Sequence, residues 1–202
     1  MPISFAPMRY CAAAGLVMGT LAACAVGTQF IRPPEGFVRL GETTRAQLEA
    51  RLGAPDREQS YRQDTLQARL VDYTYSNDSE TAKMANSLCI RSLNFALVED
   101  VVFAELFTSS CASDHTDFDD RRVGDIVKGT TRCDDVIAML GRPAYRAIHP
   151  VAKEKGDIDI GYRFLYPKRP LLQLNMYEKA LGIVCDADGV VKEVSVTEAG
   201  DR

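Results

Sequence analysis

The chain of 202 residues has no tryptophan, only two histidines and no apolar run long enough to span a membrane. So little histidine leaves scant basis for histidine-dependent catalysis or for a histidine-rich metal site. Basic residues form no extended cluster and the formal net charge is −4. This argues against a nucleic-acid partner, because binding to phosphates needs a basic face. With 46% hydrophobic and 26% charged residues, the composition is that of an ordinary globular protein.

The first 23 residues have the three parts of a bacterial export signal. Residues 1–9 end in a positive side chain, and residues 10–23 are uncharged and mostly small or apolar. The sequence Leu21-Ala22-Ala23-Cys24 resembles the lipobox of bacterial lipoproteins, in which the chain is cut before the cysteine and the new terminal thiol is acylated. It predicts a lipid anchor on Cys24. The alternative is an ordinary secretory signal that leaves Cys24 as a free thiol.

The residue after Cys24 is Ala25 and not aspartate. In the lipoproteins that this signal resembles, an aspartate there commonly retains the protein at the inner membrane. The resemblance therefore implies a protein that is attached to the outer membrane through its N-terminal lipid and faces the periplasm.

The remaining cysteines predict a disulfide framework. The chain has six cysteines, of which one lies in the signal and one is the predicted lipid site. The four others are Cys89, Cys111, Cys133 and Cys185. An even number in an oxidising compartment predicts two disulfide bonds, with three possible pairings. No two cysteines have zinc-ligand spacing, so neither a metal nor another cofactor is expected.

One pairing is favoured by a predicted hairpin. Two apolar-rich stretches flank Glu99-Asp100, and a turn there places Cys89 opposite Ser110. Cys111 is one position further, which a modest bulge in the hairpin would bridge. The two other cysteines would then form the second bond.

Two segments match at a constant spacing of 88 residues. LGETTRAQLEARLGAP begins at Leu40 and VKGTTRCDDVIAMLGRP begins at Val127. In both, apolar residues recur at spacings of three and four, as in one face of a helix. A glycine then ends the helix, and a proline two positions later prevents it from resuming. Repetition at one fixed spacing indicates a duplicated structural unit.

The pattern around each copy predicts an α+β fold of two tandem helix-helix-antiparallel-sheet units. The second helix of each unit is the repeated one, and a leading helix or turn is indicated before it. About three strands follow, with the helices on one face of the sheet and the other face open. The expected organisation is a signal peptide over 1–23, a tether over 24–34, a first unit over 35–112 and a second over 113–202.

The unit carries a family resemblance. G-x-T-T before a helix, L-G-x-P after it and an aromatic-rich strand beyond resemble the BamE (SmpA/OmlA) family of outer-membrane lipoproteins, and the lipobox strengthens the likeness. Two units in tandem resemble the β-lactamase inhibitory protein. The first resemblance implies a non-enzymatic scaffold or assembly factor that binds another envelope protein. The second implies an inhibitor-like module that binds a periplasmic or secreted enzyme.

Aromatic residues of the predicted strands are candidate binding residues. They are core residues by default, and anchors for a protein partner if they lie on the open face. The candidates are Tyr73, Tyr75, Tyr162, Phe164 and Tyr166. No catalytic residue is expected, because His115 lies among serines and aspartates without a nucleophile motif. His149 precedes a proline in a predicted loop.

Overall fold

The structure is a computed structural model that describes residues 27–63, 66–77, 89–168 and 175–200. The predicted signal peptide and Cys24 lie outside these residues, so cleavage and lipidation stay predictions. No helix in the described part of the chain is both long enough and apolar enough to cross a membrane.

The described chain runs twice through one α-helix followed by four strands. The first half contains α1 (Arg45–Leu52), β1 (Arg57–Gln63), β2 (Leu66–Ser76), β3 (Ile90–Val98) and β4 (Val101–Ser109). The second contains α2 (Cys133–Leu140), β5 (Tyr145–Ile148), β6 (Ile158–Lys168), β7 (Asn175–Cys185) and β8 (Val191–Ala199). Short 3₁₀ turns at Ala112–Asp114 and Asp120–Asp125 lie between the halves.

All eight strands form one antiparallel sheet in the order β1 to β8. The halves are joined where β4 pairs with β5, from Ala104 opposite Ala147 to Leu106 opposite Tyr145. The prediction of two helix-helix-sheet units is therefore wrong. The strands of the two halves share one sheet, because β4 and β5 would otherwise leave unpaired backbone groups at two edges.

The prediction of a leading helix in each unit is also wrong, since neither half has an α-helix before the repeated one in the described residues. In the first half Pro33-Pro34 and Gly36 interrupt the segment before α1, and it contains turns only. In the second half the Asp119 side chain caps a 3₁₀ turn that ends at Asp125, and Ile126 is already extended. Glycine and proline disfavour a helix in such short segments, and the aspartate offers the backbone a turn instead.

Both helices pack on the same face of the sheet. Cross-strand partners share a face, and one row of partners runs from Phe95 through Glu105 and Arg146 to Ile160. Phe95 belongs to the apolar core that contains Leu48 of α1, and Ile160 to the separate core under α2. We call this side the helix face and the opposite side the open face.

The same hydrogen bonds recur at both copies of the repeated motif. The Gly41 amide donates to a β4 carbonyl over 2.7 Å, and the Gly129 amide donates to a β8 carbonyl over 2.8 Å. Gly53 and Gly141 follow the two helices with φ values of 82° and 84°, which glycine adopts without steric cost. Each helix is therefore docked on the last strand of its own half in the same way.

The prediction of two disulfide bonds is confirmed. They join Cys89 to Cys111 at the end of the β3–β4 hairpin and Cys133 of α2 to Cys185 of β7. The hairpin turns at Glu99-Asp100, and a shift in register near Ala96 brings the first pair of cysteines together. The second bond ties α2 directly to the sheet.

Candidate binding surface

Two of the five candidate aromatic residues are core residues. Tyr73 and Tyr162 are 6% and 4% exposed. Their hydroxyls donate to the carbonyls of Gly53 over 3.1 Å and Gly141 over 2.9 Å. The tyrosines therefore hold the carbonyl at the end of each helix, and they are not available to a partner.

The three others also point to the helix face, because they lie two or four positions from a buried tyrosine on the same strand. Tyr75 and Phe164 are partly buried. Tyr166 is 51% exposed, and its ring stacks on Phe164 with the centroids 6.3 Å apart. The five aromatics thus do not form a binding surface on the open face.

The open face instead carries a row of cross-strand partners that spans all eight strands. From β1 to β8 the row contains Arg57, Asp72, Asn94, Leu106, Tyr145, Gly161, Gly182 and Ser195. We call it the open-face row. In the first half the Asp72 carboxylate accepts hydrogen bonds from Arg57 over 3.1 Å and from Asn94 over 2.8 Å. These three residues of the row are polar, and their side chains are bonded to one another.

In the second half the row becomes a trough of small residues with one aromatic side chain. Gly161 and Gly182 are neighbours on β6 and β7, and Ser195 beside them is exposed. A β-carbon at Gly161 would come within 3.2 Å of the Tyr145 β-carbon, so the tyrosine packs directly against the glycine. A β-carbon at Gly182 would likewise come within 2.7 Å of the Ser195 hydroxyl oxygen, so neighbouring side chains of the sheet already approach both glycines closely.

The open face is acidic next to this trough. Asp159 lies one row from Tyr145, and burial together with the charges of Asp157 and Glu193 raises its pKa. Burial and the charge of Asp159 raise the pKa of Tyr145 to about 12. The phenol therefore stays protonated at neutral pH and can donate a hydrogen bond. The surrounding carboxylates favour a cationic group opposite them.

Two buried cations, at equivalent positions of the two halves, were not predicted from the sequence. Arg91 on β3 is 6% exposed, and Lys179 on β7, 88 residues later, is 2% exposed. Arg91 donates to the carbonyl of Phe30 over 3.0 Å, and Lys179 donates to that of Phe118 over 2.6 Å. The two phenylalanines are also 88 residues apart. That spacing of a cation and a phenylalanine is the signal that could have revealed the pair.

Carboxylates of the segment between the halves neutralise both cations. Asp114 bonds Arg91 at 2.6 Å, and Asp117 bonds Lys179 at 2.7 Å. Burial by itself would raise the pKa of Asp114, but hydrogen bonds from Arg91 and Ser109 outweigh it and hold the pKa below its usual value. These are structural ion pairs, since a buried charge is tolerated when it is paired and hydrogen-bonded.

The stretch around His115 forms no catalytic triad. A triad needs a histidine between the serine and the carboxylate, whereas the Ser109 hydroxyl donates directly to Asp114 over 2.5 Å. Arg91 keeps that carboxylate a weak base. Nor do the described residues contain a group of three or more histidine, cysteine, aspartate or glutamate side chains that could hold a metal ion.

Comparison with known proteins shows one distant likeness. No protein-family model matches the chain, and no curated protein is significantly similar to it. Among solved structures, it is similar to a Streptococcus mutans protein described as a "putative beta-lactamase inhibitor protein". The two share 11% identity over 77% of this chain and 82% of that one, with a TM-score of 0.43. So distant a likeness carries no functional argument, and membership of the BamE family stays a prediction.

Proposed function

We propose that the protein is a non-enzymatic binding module of the cell envelope, which binds another protein through the open face of its sheet. The observation that supports this most directly is the open-face row, since neither helix covers it. Eight strands spaced about 4.8 Å apart extend for roughly 35 Å. A face of that width can supply the ~800 Å² that each partner buries in a stable protein complex.

The trough around Tyr145 gives the proposed surface its centre. In this part of the row Tyr145 is the one large side chain, and its phenol is an aromatic anchor with a polar tip. Because Asp159 and Glu193 lie beside it, the proposed partner presents a lysine or arginine there. The contact would then combine packing against the Tyr145 ring with an ion pair to these carboxylates.

The export signal supports a location outside the cytoplasm. We include in the proposal that Cys24 is lipidated and holds the protein at the outer membrane, facing the periplasm. Two disulfide bonds fit an oxidising compartment. In that compartment the partner is either a component of an envelope complex, for which the protein is a scaffold or assembly factor, or an enzyme that it inhibits.

The test compares two neighbouring residues that lie on opposite faces of the same edge strand. Ser195 is exposed on the open face and Val196, 55% exposed, lies on the helix face. Tagged wild-type protein, Ser195→Arg and Val196→Arg are used to capture proteins from solubilised envelopes and from the secreted fraction. We expect Ser195→Arg to lose the captured partner and Val196→Arg to keep it, since the added arginine obstructs only one face.

The captured protein then separates the two roles. If it is an enzyme, its activity should fall on titration with wild-type protein and not with Ser195→Arg. If it belongs to a membrane complex, the complex should be recovered intact. A partner held equally well by Ser195→Arg would refute the open-face proposal, and tight membrane association of Cys24→Ala would refute the anchor independently.

A further inference from the structure

Three arginines meet on the helix face where the two halves join. Arg146 is already paired, since its guanidinium donates to Glu105 over 2.8 Å and 2.6 Å. The other two form a reciprocal contact between the N-terminal segment and the end of α2. Arg32 donates to the carbonyl of Pro143, the residue after Arg142. Arg142 donates over 2.6 Å to the carbonyl of Pro33, the residue after Arg32.

This group has more hydrogen-bond donors than acceptors. A guanidinium carries five N–H groups. The Nε of Arg32 is buried and has no hydrogen-bond partner among the described residues. Burial, and then the charge of Arg142, lower the pKa of Arg32 to about 10. The charges of two carboxylates, Glu105 and Glu35, act on Arg32 and Arg142, and the bonds of Glu105 go to Arg146.

Arg32 lines a recess in the surface. Arg32 and Arg142 border it together with Glu105 and Phe107, and it has room for a single water-sized group. The Arg32 guanidinium lies over the Phe107 ring, 5.1 Å from its centroid. The ring holds the guanidinium in one orientation, so its remaining N–H groups are positioned in advance for a ligand.

From the orphaned Arg32 Nε beside a second arginine in this recess, we propose that Arg32 and Arg142 form a binding site for a small oxyanion. One oxygen of the ligand enters the recess and accepts from Arg32 Nε, and the rest stays at the mouth between the two guanidinium groups. Carboxylate and phosphate oxygens match the planar fork of arginine. The ligand supplies the acceptor that a buried N–H group requires.

The proposed site lies at the junction of the two halves, and the first half has no equivalent site. The first copy of the motif has Ala54 at the position of Arg142, 88 residues earlier. Arg32 also lies in the predicted tether, eight residues beyond Cys24, a distance of at most about 28 Å along the chain. If the proposed anchor exists, a phosphate of the lipid headgroups is within reach, and it would be chemically equivalent to a free ion.

The experiment measures the thermal unfolding midpoint during titration with inorganic phosphate against chloride at constant ionic strength. We expect a saturable rise for the wild type, and an apparent affinity at least about tenfold weaker for Arg32→Gln and for Arg142→Gln. Arg51→Gln is the matched control. Arg51 likewise donates to a backbone carbonyl over 2.6 Å and lies over a ring at 5.2 Å, but both belong to Phe37.

Two further measurements identify the source of the oxyanion. The use of two variants keeps the test valid if one of them misfolds. Acetate replaces phosphate in one titration, and vesicles with and without phosphatidylglycerol replace it in a sedimentation assay. Vesicle binding that Arg142→Gln weakens assigns the site to a headgroup, and a response to soluble ions alone assigns it to a free oxyanion. Either Arg32→Gln or Arg142→Gln suffices if the other fails to fold. No saturable response in the wild type, or one that persists in both variants, would overturn the proposal.

Discussion

The two halves of the sheet dock their helices with the same backbone bonds but hold them with different side chains. The amide of Arg45 in α1 donates to the β3–β4 turn over 2.8 Å, and that of Cys133 in α2 donates to the β7–β8 turn over 2.9 Å. Beyond that bond, the Arg45 guanidinium pairs with Glu58 of β1 at 2.7 Å, whereas Cys133 is bonded to Cys185. The backbone thus sets the geometry of the repeat, and one side chain decides whether the dock is ionic or covalent.

The difference matters because the two attachments are unequal in strength. The Arg45–Glu58 pair is partly exposed to solvent, and ion pairs of that kind contribute at most about 1 kcal/mol. A disulfide that closes a long loop contributes several times more. We therefore expect α2 to open less often than α1, and hydrogen exchange at the two helices measures this directly.

Removal of the Cys133–Cys185 bond should have the largest effect on the difference in stability between α2 and α1. The residues are 52 apart in sequence, for which loop-closure entropy gives about 4 kcal/mol of stability. We expect Cys133→Ala with Cys185→Ala to lower the free energy of unfolding by about that amount, measured by urea denaturation. Exchange at α2 should rise to the level of α1.

The matched control removes the other disulfide. Cys89 and Cys111 are 22 residues apart and close a hairpin that the β3–β4 ladder already holds, so the loss should be smaller, about 3 kcal/mol by the same relation. An equal effect of both double variants on exchange at α2 would contradict a specific covalent dock of that helix.

The buried cations allow a second comparison of the halves. The Asp114 side chain, which pairs with Arg91, is 8% exposed, whereas the Asp117 side chain, which pairs with Lys179, is 54% exposed. Asp114→Asn should cost about 3 kcal/mol because it leaves a buried guanidinium without its counter-charge. Asp117→Asn should cost less than that, because Asp120 remains 3.8 Å from the Lys179 ammonium as a second counter-charge. Urea denaturation of both variants tests the ranking, and equal costs would contradict it.

Asp114 also predicts a dependence on pH. Its pKa in the folded protein lies below the ordinary value, so its ion pair stabilises the fold above the pKa of the unfolded chain, about 4. That contribution is lost as the pH falls through the folded pKa. Between pH 5 and 2 the wild type should therefore lose more stability than Asp114→Asn, and parallel curves would show that the pair has no such role.

The smallest expected effect concerns the equivalent hairpin turns. Glu99 has a φ of 50° in the first half, whereas Gly189 has a φ of 77° in the second. Positive φ is unfavourable for glutamate and favourable for asparagine at this position. Glu99→Asn should therefore stabilise the protein by about 0.5 kcal/mol, measured by thermal unfolding. Gly189→Ala, the opposite exchange in the other turn, should destabilise it.

Local features of the fold could be predicted from the sequence because neighbouring residues control them. Glycine and proline after Leu52 and Leu140 mark the ends of α1 and α2, and the helices end at those residues. Glu99-Asp100 between two apolar stretches marks the hairpin turn, which places Cys89 within one position of Cys111, and the register shift near Ala96 brings the two together. Each of these depends on contacts within about 25 residues.

The binding surface could not be predicted in the same way. Alternation along β2 and β6 groups the aromatic residues correctly with each other, but it does not say which face of the sheet the helices will cover. The open-face row depends on the pairing of β4 with β5, which joins Ala104 to Ala147. The buried cations likewise find their carboxylates in a connecting segment with no pattern of its own.

By itself, the sequence determined that a glycine-bounded helix occurs twice at one spacing and that four cysteines are available for two bonds. These properties depend on residues close together in sequence, whose backbone preferences and spacing determine the local structure. Only the tertiary structure decided that the two copies share a single sheet, that the tyrosines face the helices, and that Arg32 meets Arg142. Such contacts join residues up to about 110 positions apart, and their free energy arises only when both partners are buried together.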